Sequence, residues 1–566
     1  MSMVCTKENT RHTLVIIGIL FIASLVVGWL TPEPMIGDEV THYYMLAEQS
    51  RDLTTPNFQS VIPVGYGDPV ERQYAHSFGW HYFGALVYRV SGGRYFAVQL
   101  YHGMFWIQLL VACFLLAASR NGEKNGVSIL YTVLIGSLPM CILFSVALYQ
   151  EIPVTAQIVT AFLLLSTGHW LAAIFFMAFA LLLKVSAFVA FPVFFVLLIW
   201  RVWHHGLNRR SGECKSPIQK RFLRSAMAAL VALLVLGGAS WGLGWSLQKH
   251  ANADFYPVIA ARRISQHVSQ IAQDIFTRNV EQQMDTHLVV DPTNERRMQA
   301  EPPARGEEKI KKSRPAYDVI AHHPGDLRFP RNWALYFGGV FWMAVALGLL
   351  GWGRQTKRGM TDDTVPAAVW LWAAGVGYLL PTAYILRTAP DARFFLPAIP
   401  FLLLPLCEKA AYIPFRKWVF TGLIAVGVLQ SGAVYWKTYQ LRNVSDGIYE
   451  AINYLEENMP SPPRVFMYPE GNYRLFPTDH EWYLNYGLRD FWSGDNDFRI
   501  QMLNRRRVGA IVVKKHLVAP IDSNMHNLGV YPPEFVQDLK NDPRFVLLLN
   551  NANVLIFRVP TFSESH

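Results

Sequence analysis

The sequence predicts a polytopic α-helical membrane protein of about eleven transmembrane helices, followed by a small extracytoplasmic α/β domain. Three observations carry this reading. Apolar residues make up 52% of the 566 and charged residues only 16%, and the apolar ones gather in blocks near the roughly 20 residues that a bilayer core demands. Lys and Arg concentrate in alternate short connections, as they do in cytosolic loops. Beyond residue 440 the long blocks stop, and helix-like and strand-like runs of soluble-protein length alternate.

The candidate spans are 13–30, 94–118, 127–148, 152–168, 169–183, 186–202, 223–247, 331–353, 365–386, 395–412 and 418–436. The first follows Lys7 and Arg11, but its length and the lack of a small-residue cleavage site mark it as a retained helix and not a secretory signal. Lys184 interrupts the long apolar stretch that holds the fifth and sixth spans. With the N-terminus in the cytosol, the cytosolic loops contain Arg120 and Lys124, then Arg209, Arg210, Lys215, Lys220 and Arg221, then Arg354, Lys357 and Arg358, then Lys409, Arg416 and Lys417. These loops account for the formal charge of +10 and leave no basic face for nucleic acid. Cys113, Cys141 and Cys407 fall in apolar segments, and Cys5 and Cys214 in stretches placed in the cytosol, so neither a disulfide framework nor a paired metal spacing follows.

This divides the chain into a transmembrane part, 1–440, and a soluble part, 441–566. The first extracytoplasmic loop, 31–93, is rich in Tyr, His and Pro, and Glu39–Glu48 and Phe78–Val90 read as short interfacial helices. The second, 248–332, has Ile264, Val268, Ile271 and Ile275 at helical spacing, then a charged, proline-containing stretch from Asn294 to Lys312 expected to be mobile. In the C-terminal part, Ser445–Asn458, Phe498–Arg507 and Pro533–Lys540 read as helices. Val465–Tyr468, Ala510–Val513, Phe545–Leu549 and Val554–Val559 read as strands, the last two joined by a turn over Asn550–Asn553.

Ionisable residues in or beside apolar spans are costly, roughly 2.5–3.5 kcal/mol at mid-bilayer, so each asks for a reason. Asp38 and Glu39 follow the first span, Glu151 opens the fourth, Lys184 lies between the fifth and sixth, and Arg387 and Arg393 lie between the ninth and tenth. The loop charges put all six at the outer face. Singly, each has a bland explanation: the carboxylates favour helix N-termini and the lysine snorkels to headgroups. Together they suit the attack of a hydroxyl on an anomeric carbon. A carboxylate accepts the hydroxyl proton, and Lys and Arg stabilise a departing phosphate that needs no general acid. Glycoside hydrolysis, which uses two opposed carboxyls, fits a cation-rich set less well.

Four stretches resemble the GT-C superfamily of membrane glycosyltransferases, in particular the branch with the protein O-mannosyltransferases and the lipid A aminoarabinose transferase. They are PMIGDEVTHYYMLAE, ALYQEIPVTAQIVTAFLLL, LAAIFFMAFALLLKVSAFVAFPVFFVLL and LRTAPDARFFLPAIPFLLLPL, in that order. The resemblance implies Asp38 as general base and Glu39 and Glu151 as residues that orient acceptor or sugar. It implies Lys184, Arg387 and Arg393 as the holders of the donor phosphate. Val185 stands after Lys184 where the relatives often have Gly. The implied donor is a polyprenyl-phosphate sugar and the acceptor a lipid, a glycan or a protein; the short cytosolic loops, with no endoplasmic-reticulum retention tail, point to a bacterial plasma membrane.

His42 follows Asp38 by about one helical turn and shares its face. A divalent metal on Asp38, Glu39 and His42 is weighed and not favoured, because no further ligand set is evident, so no cofactor is required. His76, His81 and His102 read as polar lining. Tyr43, with Tyr44, Tyr74, Trp80 and Tyr82, reads either as interfacial belt or as a sugar-stacking surface. The competing function is a transporter or flippase of lipid-linked saccharides, which is expected to spread charges through the membrane depth and to show inverted repeats. A scaffold role leaves the outer-face charges unexplained.

Overall fold

The computed structural model describes residues 7–30, 38–55, 59–62, 70–73, 77–121, 126–205, 218–251, 328–357, 365–384, 392–442, 447–459, 464–467, 491, 494–505, 508–515, 518 and 531–560. The chain opens with α1 (Lys7–Trp29) and α2 (Asp38–Arg51), then an antiparallel pair, β1 (Gln59–Ile62) and β2 (Val70–Gln73), then α3 (Gly79–Val90). Seven helices follow: α4 (Tyr95–Asn121), α5 (Val127–Gly136), α6 (Pro139–Val146), α7 (Glu151–Thr167), α8 (Trp170–Leu183), α9 (Phe191–His205) and α10 (Ile218–Ala251). A 3-10 turn over Val185–Ala190 joins α8 to α9. Then come α11 (Arg328–Lys357), α12 (Val365–Tyr384), a 3-10 turn over Ala392–Ala398, α13 (Ile399–Ala410) and α14 (Arg416–Arg442).

Among the described residues, five helical stretches are long and apolar enough to cross a membrane: Arg11–Trp29, Tyr95–Arg120, Val185–Trp203, Ser225–Ser246 and Arg416–Gln440. The α5–α6 pair, bent by 61°, makes a sixth if read as one broken span. The protein is an integral membrane protein. The other expected spans fall on the shorter helices α7, α8, α12 and α13 and on the apolar part of α11. The discrepancy has a physical origin: run length counts apolar residues regardless of breaks, and the backbone breaks at Ser137–Leu138, at Lys184, at Gly338 and over Ala392–Ala398.

The core is built around α4, whose Trp106, Leu109, Leu110, Cys113 and Leu116 are fully buried and which packs on α5 and α7. By contrast, α10 leaves Leu230, Leu233, Leu234 and Trp241 exposed, as a helix facing lipid does. Backbone freed by helix breaks inside an apolar core must find partners. Gln430 on α14 supplies two of them. It donates from Nε2 to the Ser137 carbonyl at 2.8 Å, at the α5–α6 break, and accepts from the Val340 amide at 3.3 Å, just past the break at Gly338. Gly338 has φ 73° and ψ 168°, a conformation essentially reserved for glycine. Ser24 Oγ meets Ser145 Oγ at 2.8 Å and Tyr435 Oη at 2.7 Å, tying α6 to α1 and α14. At the other end of α4, Arg120 grips Glu408 of α13 with two bonds of 2.7 and 2.9 Å.

The C-terminal segment comprises α15 (Ile448–Asn458), β3 (Arg464–Met467), α16 (Asn496–Arg505), β4 (Val508–Lys514), α17 (Pro533–Asn541), β5 (Val546–Asn550) and β6 (Val554–Arg558). The sheet runs β3-β4-β6-β5, with β3 parallel to β4 and the other pairs antiparallel. Alternation along the strands feeds two cores. Phe466, Ile511, Val513 and Phe557 pack with Leu503 of α16 and Phe535 of α17, while Val465, Ala510, Val512 and Ile556 pack with Ala451 and Leu455 of α15. The expected turn between the last strands is present, its Asn551 carboxamide oxygen accepting from the Asn553 and Val554 amides at 2.9 and 2.8 Å. The pair β1–β2 was not expected, since four residues are too few for alternation to register. The helix expected around Ile264–Ile275 and the stretch Asn294–Lys312 lie outside the described residues.

Candidate active site

Helix ends supply the site. Glu151 is the first residue of α7, Lys184 sits in extended backbone (φ −154°, ψ 131°) where α8 stops, and Arg393 lies in the 3-10 turn ahead of α13. The three converge. Lys184 Nζ donates to Glu151 Oε1 at 2.5 Å, and Arg393 Nε lies 3.9 Å from the same oxygen. Glu151 is 3% exposed and Lys184 8%. The Phe394 ring takes both cations on its face, with Lys184 Nζ at 5.2 Å and the Arg393 guanidinium carbon at 4.9 Å from its centroid. Arg393 also lies 5.5 Å from the Tyr149 ring. Lys184 and Arg393 thus bring two cations to one point, an arrangement that can meet an anion.

Tyr149 joins this clamp to a second group. Its ring stacks on Phe144 at 4.6 Å and lies 6.4 Å from His42 on α2. His42 Nδ1 meets His81 Nε2 of α3 at 3.1 Å, and the Trp80 ring lies 5.8 Å from His42 and 5.8 Å from His102. Burial pushes the His81 imidazole down to about 4, only partly offset by a Ser77 backbone contact, so this ring is neutral at pH 7. Glu39 is fully buried, and its Oε1 accepts from Tyr95 Oη and from the Leu148 amide at 3.3 Å. The start of α3 is held against the end of α8 by Ser77 Oγ, which donates to the Leu181 carbonyl at 2.6 Å. The approach is close enough that a Cβ on Gly79 would stand 2.6 Å from the Leu182 carbonyl oxygen.

Of the site residues expected from sequence, Glu151, Lys184 and Arg393 meet directly, and Glu39 and His42 lie in the adjoining group. Tyr43 forms a wall: its hydroxyl donates to the Gly93 carbonyl at 2.8 Å and its ring packs edge-on against Tyr88 and Tyr95. Asp38 is the first residue of α2, one position before Glu39, and its side chain lies outside the described residues, as does all of Arg387. Among the described residues, no three His, Cys, Asp or Glu side chains converge to hold a metal ion. Sequence reasoning missed Tyr95, Tyr149 and Phe394. Closeness in the chain to Glu151 and Arg393 was the only signal for the last two, and an aromatic beside an apolar span has too many ordinary explanations to stand out.

No protein family and no curated protein sequence matches the chain. Solved structures do. The crystal structure of ArnT from Cupriavidus metallidurans bound to undecaprenyl phosphate aligns over 99% of this chain and 100% of its own, with a TM-score of 0.50 and 8% identity. The apo state of the same protein aligns over 95% and 97%, with a TM-score of 0.47 and 10% identity. ArnT is the lipid A aminoarabinose transferase, of the GT-C superfamily. This chain shares that fold over nearly its whole length, in line with the resemblance carried by its four motifs.

Proposed function

We propose, on the premise of this shared fold, that the chain is a membrane glycosyltransferase that moves a sugar from a polyprenyl-phosphate carrier to an acceptor at the extracytoplasmic face. The observation that carries the reading is the clamp itself, in which Lys184 and Arg393 share one oxygen of buried Glu151 at the ends of apolar helices. That the ArnT structure holds undecaprenyl phosphate supports the same class of donor here.

In the proposed reaction the donor phosphate seats against Lys184 and Arg393, with Arg387 contributing from the neighbouring loop. The acceptor hydroxyl attacks the anomeric carbon and gives its proton to the Asp38 carboxylate. The bond from that carbon to the phosphate oxygen breaks, and the phosphate leaves with the electron pair, its new charge met by the two cations. Glu151 and Glu39 hold the surrounding groups in place: Glu151 keeps Lys184 and Arg393 converged, and Glu39 ties α2 to α4 through Tyr95 and to the segment before α7 through Leu148. No metal has a step. The topology that goes with this reading has about eleven spans within 1–440, a cytosolic N-terminus and the 441–566 domain outside, in a bacterial inner membrane. A transporter or flippase is the weaker reading, because among the described residues the charged side chains of the site gather at helix ends and do not mark a path through the apolar core.

The test is transfer by purified protein given undecaprenyl phosphate bearing a sugar, with candidate lipid, glycan and protein acceptors. Asp38→Asn is expected to abolish transfer while binding the donor, and Lys184→Ala to weaken donor binding. Transfer by Asp38→Asn at the wild-type rate removes the base, and unchanged donor affinity in Lys184→Ala removes the clamp.

A further inference from the structure

His42 and His81 meet in a way that the proposed transfer leaves unused. His42 Nδ1 lies 3.1 Å from His81 Nε2, joining α2 to α3, and both rings are buried. Two neutral imidazoles bonded nitrogen to nitrogen hold one proton between them, and such a pair can take up one more. The two rings are not equally placed to carry it. Burial holds the His81 imidazole neutral, with its value down to about 4. His42 instead shares α2 with Asp38 and Glu39, four and three positions back. In an α-helix those spacings put side chains on one face, with Cβ atoms about 5–6 Å apart. A proton on His42 also keeps the contact already present, because Nδ1–H then donates to the His81 Nε2 lone pair.

The reaction creates such a proton. When the acceptor hydroxyl gives its proton to Asp38, the carboxylate becomes a neutral acid that must lose it before a second turnover. An imidazole ordinarily holds a proton more firmly than an aspartyl carboxylate does, by roughly 2.6 pH units. Passing the proton one turn along α2 therefore runs downhill. It also carries positive charge toward the place where negative charge appears. The Tyr149 ring lies 6.4 Å from His42 and 5.5 Å from the Arg393 guanidinium carbon, so an imidazolium at His42 borders the phosphate clamp. The frame keeps His42 in place. Its ring packs edge-on against Trp80 at 5.8 Å, and α3 approaches α2 so closely that a Cβ on Gly84 would stand 2.5 Å from Leu46 Cδ2.

We infer that His42 receives from Asp38 the proton lost by the acceptor hydroxyl, and that His81 holds the His42 ring for this task by accepting from Nδ1–H. The inference rests on the proposed function and adds two positioning residues to it, since His42 acts through Asp38 and His81 through His42. The acceptor O–H bond breaks as that oxygen bonds the anomeric carbon, and the bond from this carbon to the phosphate oxygen breaks with its electron pair on the phosphate. The proton passes from the hydroxyl to the Asp38 carboxylate, then to His42 Nε2, and to water once product has left.

The test uses the full chain in lipid nanodiscs. Sugar transfer is followed from undecaprenyl phosphate bearing mannose or 4-amino-arabinose to lipid, glycan and protein acceptors, and binding of bare undecaprenyl phosphate is measured beside it. His42→Asn places an amide N–H where Nδ1–H stands, so it keeps the bond to His81 but cannot take the proton. It is expected to lower kcat about 100-fold while donor KM and lipid affinity stay within about threefold of wild type. His81→Gln puts an accepting oxygen near the Nε2 position and is expected to keep kcat within about threefold, whereas His81→Leu, which has no acceptor, loses about tenfold or more. A pair that only braces α2 against α3 gives another pattern, with His42→Asn as active as wild type. Wild-type kcat in His42→Asn therefore overturns the inference. So does wild-type kcat in His81→Leu, or equal loss in His81→Gln and His81→Leu, and these two results stand whether or not His42→Asn folds. A wild type that transfers no sugar instead refutes the proposed function, and the inference falls with it.

Discussion

Glu151→Gln is expected to do two opposite things at once. The Glu151 carboxylate meets Lys184 at 2.5 Å and lies 3.9 Å from Arg393, so a phosphate seated on these cations must share them with it. A phosphate oxygen seated about 4 Å from that carboxylate meets a repulsion of up to about 4 kcal/mol at an effective dielectric of about 20. Arg393, with 22% of its side chain exposed, admits enough solvent to trim this. A residual 1.4 kcal/mol is still about tenfold in affinity. The variant is therefore expected to bind undecaprenyl phosphate about tenfold more tightly in nanodiscs at neutral pH. Its stability moves the other way, because a buried lysine that loses its partner destabilises by about 3–5 kcal/mol, which thermal unfolding of the same preparation reads. Binding that stays the same or weakens in Glu151→Gln refutes the idea that the carboxylate competes with the ligand for the clamp.

The other predictions concern the frame. Gln430→Leu orphans the Val340 amide and the Ser137 carbonyl and is expected to cost about 1–3 kcal/mol; an unchanged unfolding midpoint excludes the brace. Gly338→Ala forces a Cβ to within 2.7 Å of Gln430 Nε2, on a backbone that only glycine adopts readily, and is expected to cost at least about 1–3 kcal/mol. Paired with Gln430→Ala in a double-mutant cycle, Gly338→Ala should cost less than the sum, as the overlap goes and the backbone strain stays; strict additivity argues against contact between them. In the C-terminal segment the Arg544 side chain bonds Asp542 and holds its carboxyl at about 2, below its usual 3.8. A depressed folded-state value stabilises above pH 3.8 and is lost as pH falls through about 2. Amide exchange over Pro533–Asn541 in the intact protein should speed up across that window, and Asp542→Asn should flatten the dependence.

The parts of this molecule that were legible in the sequence are those where water and lipid leave the chain few choices. Each of the expected spans holds helix because an apolar run has nowhere else to satisfy its backbone. The strands and helices after Gly447 fall within a few residues of expectation because alternation and helical spacing report which face is buried. Glu151, Lys184 and Arg393 were legible for the same reason. A charge among apolar residues is so costly that it sits at a helix end with a partner, even when the partner lies 33 residues away, as Lys184 does from Glu151. Neutral polar groups carry no such signal. Gln430 reads as one more polar residue on a long helix, and nothing in its neighbourhood in the chain announces that Ser137 and Val340 depend on it. An apolar chain of this kind therefore declares its ionic clamp in the sequence and hides its neutral braces, because only the first kind of group is expelled from hydrocarbon strongly enough to be placed by it.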